Sequence, residues 1–92
     1  MTEMAYQTAR LVAEQLLEAE VRPGIDEDVI MNDGQIEETD RFWVFFYNTK
    51  IYLETGSVAH AHAGNGPILV EKATGIACLG RSDTTWEEQV RE

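Results

Sequence analysis

The chain has 92 residues and a formal net charge of −10, from 17 acidic and seven basic residues. Such a surface repels nucleic acid and anionic membranes, and it attracts basic partners. The single cysteine, Cys78, excludes an internal disulfide and a cysteine-rich zinc site, and its apolar surroundings predict a buried thiol. We expect one acidic domain over residues 1–92, with no cofactor.

We expect neither a signal peptide nor a membrane-spanning segment. The first residues, Met1 to Met4, lack the basic start and apolar stretch of a signal peptide. No segment has the apolar length needed to cross a bilayer. From these features we expect a cytoplasmic protein with no membrane partner.

The segment from Thr2 to Val21 has the pattern of an amphipathic helix. Thr2 is the expected N-cap, and Pro23-Gly24 is expected to end the helix. Small apolar residues and fewer than three heptads favour packing on a sheet over a coiled coil. Apolar residues recur at steps of three and four and define the predicted stripe: Ala5, Ala9, Val12, Leu16 and Ala19, widened by Ala13 and Leu17.

A short strand and an acidic region follow the helix. Val29 to Met31 is predicted as a strand and Asp33-Gly34 as a turn, while Ile36 to Asp40 fits either a loop or the outer end of the next strand. Ten of the 17 acidic residues lie between positions 14 and 40, opposed there only by Arg22. This run indicates either a solvated face or a docking surface for a basic partner.

The most aromatic run, Phe42 to Tyr47, is predicted as a strand. A strand that is apolar on both faces is either central and covered on both sides, or has one face exposed for binding. Both interpretations are open at this point. Alternation defines the two faces: Trp43, Phe45 and Tyr47 on one, and Phe42, Val44 and Phe46 on the other.

The next segments are shorter. Lys50 to Glu54 is predicted either to continue the strand or to form a turn, ended by Thr55-Gly56. Ser57 to Ala63 is predicted as a short helical turn, with Ser57 as its N-cap.

A hairpin is predicted from Ile68 to Leu79, with Gly75 in the left-handed position of its turn. Thr85 to Glu88 has capping-box spacing and starts a short helix, with Trp86 as the docking anchor. The order of elements predicts an α+β fold: an N-terminal helix packed on a small antiparallel sheet, with a short C-terminal helix.

No group of residues specifies catalysis. His60 and His62 share a face only in a strand, and a third metal ligand is missing nearby. Cys78 has no neighbouring cation or helix terminus to activate its thiol. Gly64-Asn65-Gly66 leads into a strand and lacks the lysine of a phosphate-binding loop. We expect neither an enzyme nor a metal site.

Three blocks of the sequence carry a resemblance: Trp43 to Asn48, Tyr52 to Gly56, and Ala63 to Val70. In this order they resemble the immunity protein 35 family, also called YrhB-like, over roughly Arg41 to Gly80. Phe42 departs from the family pattern, in which a glycine commonly precedes the tryptophan.

The resemblance implies a small bacterial cytoplasmic protein that binds a cognate polymorphic toxin domain and blocks it by occlusion. Papain-like peptidase toxins are among the partners it implies. The YrhB branch implies an alternative, a chaperone-like protein that holds unfolded clients through exposed aromatic side chains.

Partner contacts are predicted in the acidic region and at one aromatic residue. An edge strand beside this region also allows two copies to pair, so the sequence leaves both a monomer and a homodimer open. The predicted contact residues are Asp26, Glu27, Asp28, Glu37, Glu38, Asp40 and Trp43.

Overall fold

The fold is α+β, as predicted. The computed structural model describes residues 5–57, 59, 66–80 and 86–89. Four antiparallel strands form one sheet in the order β1-β2-β3-β4, and α1 packs on one face of it. The elements are α1 (Tyr6–Leu16), β1 (Val29–Glu38), β2 (Phe42–Thr49), α2 (Lys50–Thr55), β3 (Ile68–Glu71), β4 (Ala77–Leu79) and α3 (Trp86–Gln89).

Helix α1 continues into a π turn, Leu17–Val21, and a 3-10 turn, Arg22–Gly24. The π turn is closed by the amide of Arg22, which donates to the carbonyl of Leu17. The helical segment ends at Pro23-Gly24 as predicted, because a proline ring crowds the carbonyl four residues earlier and lacks an amide hydrogen. The predicted N-cap, Thr2, lies outside the described residues, and Ala5 precedes the first turn of α1.

The buried stripe of this helical segment differs from the predicted one, since Ala5 and Ala19 are exposed. A step of four residues in an α-helix turns about 400°, so a stripe with that spacing drifts by about 40° per step. A π turn holds more residues per turn and therefore reverses part of this drift. The residues that face the sheet are each four positions apart: Ala9, Ala13, Leu17 and Val21.

Strand β1 is longer than predicted, and Asp33-Gly34 lies inside it rather than in a turn. Met31 is opposite Tyr47, whereas Ile36 is opposite Phe45. Five steps along β1 therefore match two along β2, and the three extra residues form a bulge.

The bulge is tied to α1 by a bidentate contact. Arg10 Nε donates to Asp33 Oδ1 at 2.8 Å, and Arg10 Nη2 donates to Asp33 Oδ2 at 3.0 Å. The hydrogen bond to Asp33 raises the pKa of Arg10. The chain reverses direction later, where the Thr39 hydroxyl accepts from the amide of Phe42 at 2.9 Å. The dipeptide Asp33-Gly34 thus has residues typical of a turn, but it lies in a bulge of β1 and contacts Arg10, which is distant in the sequence.

Strand β2 is internal in the sheet, and the residues on both of its faces are buried or half-buried. Phe45 is only 1% exposed and contributes to the core between sheet and helix. Val44 and Leu69 are paired across β2 and β3 on the opposite face, and both are buried. β2 therefore supports the fold from both sides.

Residues after β2 form a helix, not a strand continuation or a simple turn. The Thr49 side chain caps α2 by accepting from the amide of Tyr52 at 3.1 Å. Gly56 ends the helix with φ 74°, as the predicted stop at Thr55-Gly56 requires. Of the helical turn predicted over residues 57–63, only residues 57 and 59 are described.

The β3–β4 hairpin is confirmed, and Gly75 has the predicted left-handed conformation with φ 72°. The amide of Gly75 donates to the carbonyl of Glu71 at 2.8 Å and closes the turn. The short helix α3 is also present, but the side chain of Trp86, its predicted anchor, lies outside the described part.

Candidate partner-binding surface

The structure places the predicted acidic contacts at the two ends of β1. The first acidic group, Asp26, Glu27 and Asp28, precedes the strand. The second acidic group, Glu37, Glu38 and Asp40, lies at its far end. β2 residues opposite these ends, Thr49 and Trp43, are six positions apart, which corresponds to about 20 Å of strand. The predicted contact residues therefore do not form one compact patch.

Glu38 of the second acidic group holds a buried cation. Its Oε2 lies 2.6 Å from Lys72 Nζ, and the Lys72 side chain is 7% exposed against 51% for Glu38. The ammonium also lies 5.2 Å from the centroid of the Trp43 ring. Because a buried ammonium needs a partner, Glu38 has a structural role here.

Trp43 is half-buried and packs within the fold. Its ring meets the ring of Tyr6 from α1 edge to face, with centroids 5.5 Å apart. Together with the ammonium of Lys72, this contact places Trp43 at the junction of α1, β2 and the β3–β4 hairpin. Trp43 is therefore engaged in contacts inside the fold, and less of its side chain is available to a partner than predicted.

The other two carboxylates of the second acidic group are exposed. Glu37 is opposite Val44 and lies on the sheet face away from α1, while Asp40 lies in the β1–β2 turn. Neither side chain has an ion pair within residues 5–57, 59, 66–80 and 86–89. The nearby Arg41 is engaged by Glu71, with Nη2 and Oε2 3.0 Å apart.

The first acidic group lies in the bend between the 3-10 turn and β1. Asp26 and Asp28 are exposed, and Glu27 is half-buried. The carbonyl of Asp28 accepts from the amide of Lys50 at 2.8 Å, which fixes the bend against α2. Among the described residues, the side chains of Asp26 and Asp28 have no ion pair.

Arg22 does not neutralise this group, although it is the nearest cation in the sequence. Its Nη1 is 2.6 Å from Glu18 Oε2, its Nη2 is 2.8 Å from Glu14 Oε1, and its Nε donates to the carbonyl of Val29 at 3.0 Å. The hydrogen bond to Glu18 raises the pKa of Arg22. Arg22 therefore balances the acids of the helix and ties the helix to β1.

A groove opens beside the first acidic group and was missed by sequence reasoning. It has a volume of about 240 Å³. It lies where the π turn meets the sheet, so only the pairing of distant segments creates it. The sequence gives one local signal of this groove: the acidic Glu20 and the apolar Val21 stand shortly before Pro23-Gly24. Its lining residues are Glu20, Val21, Gly24, Ile25, Tyr47 and Leu79.

The β1 strand is at the edge of the sheet, as the homodimer prediction requires. Its bulge interrupts the edge, and such interruptions disfavour pairing between sheets. Carboxylates of like charge at both ends would also oppose two copies. Pairing of copies stays a prediction.

Among the described residues, those considered for chemistry form no site. Cys78 is exposed rather than buried, because it lies on the edge strand β4 opposite Leu69. Across the described ranges, no three or more His, Cys, Asp or Glu side chains are grouped to hold a metal ion. His60 and His62 lie outside those ranges. No helix in the described part has the length and apolar character to span a membrane.

Fold and surface together define a small α+β protein with exposed carboxylates at both ends of an edge strand. The family model of immunity protein 35 matches residues 7–91, nearly the whole chain. The chain therefore belongs to the immunity protein 35 family, a family of generally non-enzymatic immunity proteins that implies a toxin partner. No curated protein and no solved structure matches the chain significantly.

Proposed function

We propose that this protein neutralises a cognate polymorphic toxin domain by binding it and occluding its active site. The observation that carries the proposal is membership of the immunity protein 35 family over residues 7–91. A papain-like peptidase toxin is the partner class we favour, as the sequence resemblance implies. Inhibition by occlusion requires a stable, complementary surface and no catalytic group of its own.

The acidic surface supports a basic toxin surface as the target. The net charge of −10 provides long-range attraction. The first acidic group is the favoured contact, because Asp26 and Asp28 are exposed and have no ion pair among the described residues. At the far end of β1, Glu38 already holds Lys72 and Trp43 packs against Tyr6, which leaves Glu37 and Asp40 as the exposed carboxylates there.

The chaperone-like alternative needs exposed aromatic side chains. In the described part of the chain, every aromatic side chain is buried or half-buried. The exposed large apolar residues there are aliphatic: Leu11, Ile51, Ile76 and Leu79. No observation therefore favours the alternative over binding to one partner.

Co-expression with the toxin domain encoded beside this gene tests the proposal. Cells that express the toxin domain alone should stop growing, and cells that also express this protein should grow. A toxin domain with its nucleophile replaced provides the control for expression burden. Equal toxicity with and without this protein would refute the proposed function.

A further inference from the structure

We propose that the groove at the end of α1 receives one arginine side chain of the bound toxin domain. This inference rests on the proposed function, since it names the chemistry of the partner at that surface. The groove holds about 240 Å³, below the roughly 300–1,000 Å³ of small-molecule pockets. It therefore suits a single side chain better than a separate ligand.

The walls of the groove suit the stem of a long side chain. Val21 and Tyr47 are buried, Ile25 is half-buried, and Leu79 forms an exposed wall. Aliphatic and aromatic surface of this kind packs against the methylene groups of arginine and against its planar guanidinium. An exposed leucine beside such a groove also gains from being covered by a partner.

The rim of the groove is anionic. Glu20 is exposed and, among the described residues, has neither an ion pair nor a hydrogen bond from its side chain. The first acidic group begins at Asp26, directly after the lining residue Ile25. The nearest cation in sequence, Arg22, is held by Glu14 and Glu18. This charge distribution selects a cation over a neutral or acidic side chain.

Arginine fits a groove with apolar walls and an anionic rim better than lysine does. Its guanidinium presents several donors in a fixed plane, so it can bond a carboxylate in a bidentate manner while stacking on apolar surface. The compact ammonium of lysine is more strongly hydrated and gains less from apolar walls. Glu20 and the apolar walls together therefore point to a guanidinium.

The local backbone keeps the groove open. Glu20 and Val21 belong to the π turn, a feature frequent at functional sites. Gly24 does not have positive φ, and a Cβ added there would meet no atom within 4 Å. The fold thus does not need glycine at this position, and a side chain at position 24 would occupy space instead of straining the chain.

Gly24→Leu tests whether the groove is occupied in the complex. Binding of the inactivated toxin domain to the full chain is measured by calorimetry. We expect Gly24→Leu to weaken binding by more than about thirtyfold, as loss of a buried anchor does. Its melting temperature should match that of the unchanged protein. Ala73→Leu, at an exposed position of the β3–β4 turn, is the matched control and should bind normally.

Glu20→Gln tests the charge at the rim. We expect roughly tenfold weaker binding, since the variant removes one partner of an ion pair formed in the complex. Glu54→Gln, at an exposed position of α2 that does not line the groove, is the matched control and should change binding by less than about twofold.

A double-mutant cycle identifies the occupant. Each arginine of the toxin domain is changed to glutamine and combined with Glu20→Gln. One arginine should show a clearly non-additive loss of affinity with Glu20. Coupling to a lysine, or additive losses at every arginine, would overturn the arginine assignment.

The outcomes separate the two proposals. If the unchanged protein neither binds the toxin domain nor protects cells, the proposed function fails. If it binds and protects, but Gly24→Leu and Glu20→Gln bind as tightly as the unchanged protein, only the groove inference fails.

Discussion

The two ends of β1 carry similar negative charge but differ in what their carboxylates contact. At the first end, Asp26 and Asp28 are exposed beside an open groove, and the nearest cation in the sequence, Arg22, is engaged by helix acids. At the second end, Glu38 pairs with a buried Lys72 beneath the ring of Trp43. Both ends therefore keep exposed carboxylates, but only the second end also uses one of its carboxylates, Glu38, in an internal ion pair.

This difference bears on how acidic runs are interpreted. A carboxylate that holds a buried ammonium cannot be removed without cost to the fold, and it offers less to a partner. An exposed carboxylate without an ion pair costs the fold little and keeps its full field for steering. Whether a carboxylate is structural or available to a partner therefore depends on whether it holds a buried cation.

Both ends depend on the same central strand, so the largest expected effect comes from its core. Phe45→Ala should lower the free energy of unfolding by about 3–5 kcal/mol, because it leaves a cavity between β2 and α1. Urea denaturation followed by circular dichroism measures this loss. Ile51→Ala, at an exposed position of α2, is the control and should change stability by less than about 0.5 kcal/mol. A loss at Phe45 as small as that of the control would contradict the central role of β2.

A second, smaller effect should distinguish neighbouring glutamates at the far end of β1. Glu38→Gln should destabilise the fold by about 1–2 kcal/mol, since it leaves the Lys72 ammonium buried without its countercharge. Glu37→Gln should change stability by less than about 0.5 kcal/mol, because Glu37 is exposed and has no ion pair in the described part. Thermal or urea unfolding of both variants measures the difference.

The predicted loss of stability in Glu38→Gln depends on the ion pair with Lys72 and not on the charge of Glu38 alone. Equal losses for the two glutamates would show that Lys72 does not depend on Glu38. A greater loss at Glu37 would reverse the comparison between the structural and the available carboxylates.

The smallest expected effect is on the rate of toxin association. Replacing Asp26 and Asp28 together by Asn should slow association about threefold to fivefold at low salt, because these carboxylates steer a basic partner. Replacing Glu37 and Asp40 together, by Gln and Asn, removes the same charge and should slow association less. Stopped-flow measurements at low and high salt give both rates, and the difference should shrink as salt screens the charges.

An equal or larger effect from the Glu37 and Asp40 pair would move the contact surface to the other end of β1. Association that does not respond to salt for either pair would remove the acidic residues from the mechanism.

Local signals in the sequence predicted much of the fold. Pro23-Gly24 ended the helical segment, and Gly75 took the left-handed turn conformation that its lack of a Cβ allows. The aromatic run became β2, since a continuous apolar run fits an internal strand with apolar residues on both faces. In each case neighbouring residues alone supply the physical cause.

Predictions were wrong where distant segments decide the outcome. Asp33-Gly34 has turn chemistry, but the contact with Arg10 holds it as a bulge inside β1. Cys78 has apolar neighbours in the sequence, yet its place on an edge strand exposes it. Neither contact with α1 nor strand order can be deduced from the residues next to these positions.

For the candidate site too, some features follow from the sequence and others only from the tertiary structure. The sequence by itself determined the family, the α+β class and the excess of negative charge, since these depend on residue identity and local pattern. Only the tertiary structure decided which carboxylates are available, because a countercharge such as Lys72 comes from the β3–β4 turn, far along the chain. The groove likewise exists only where the π turn meets β2 and β4.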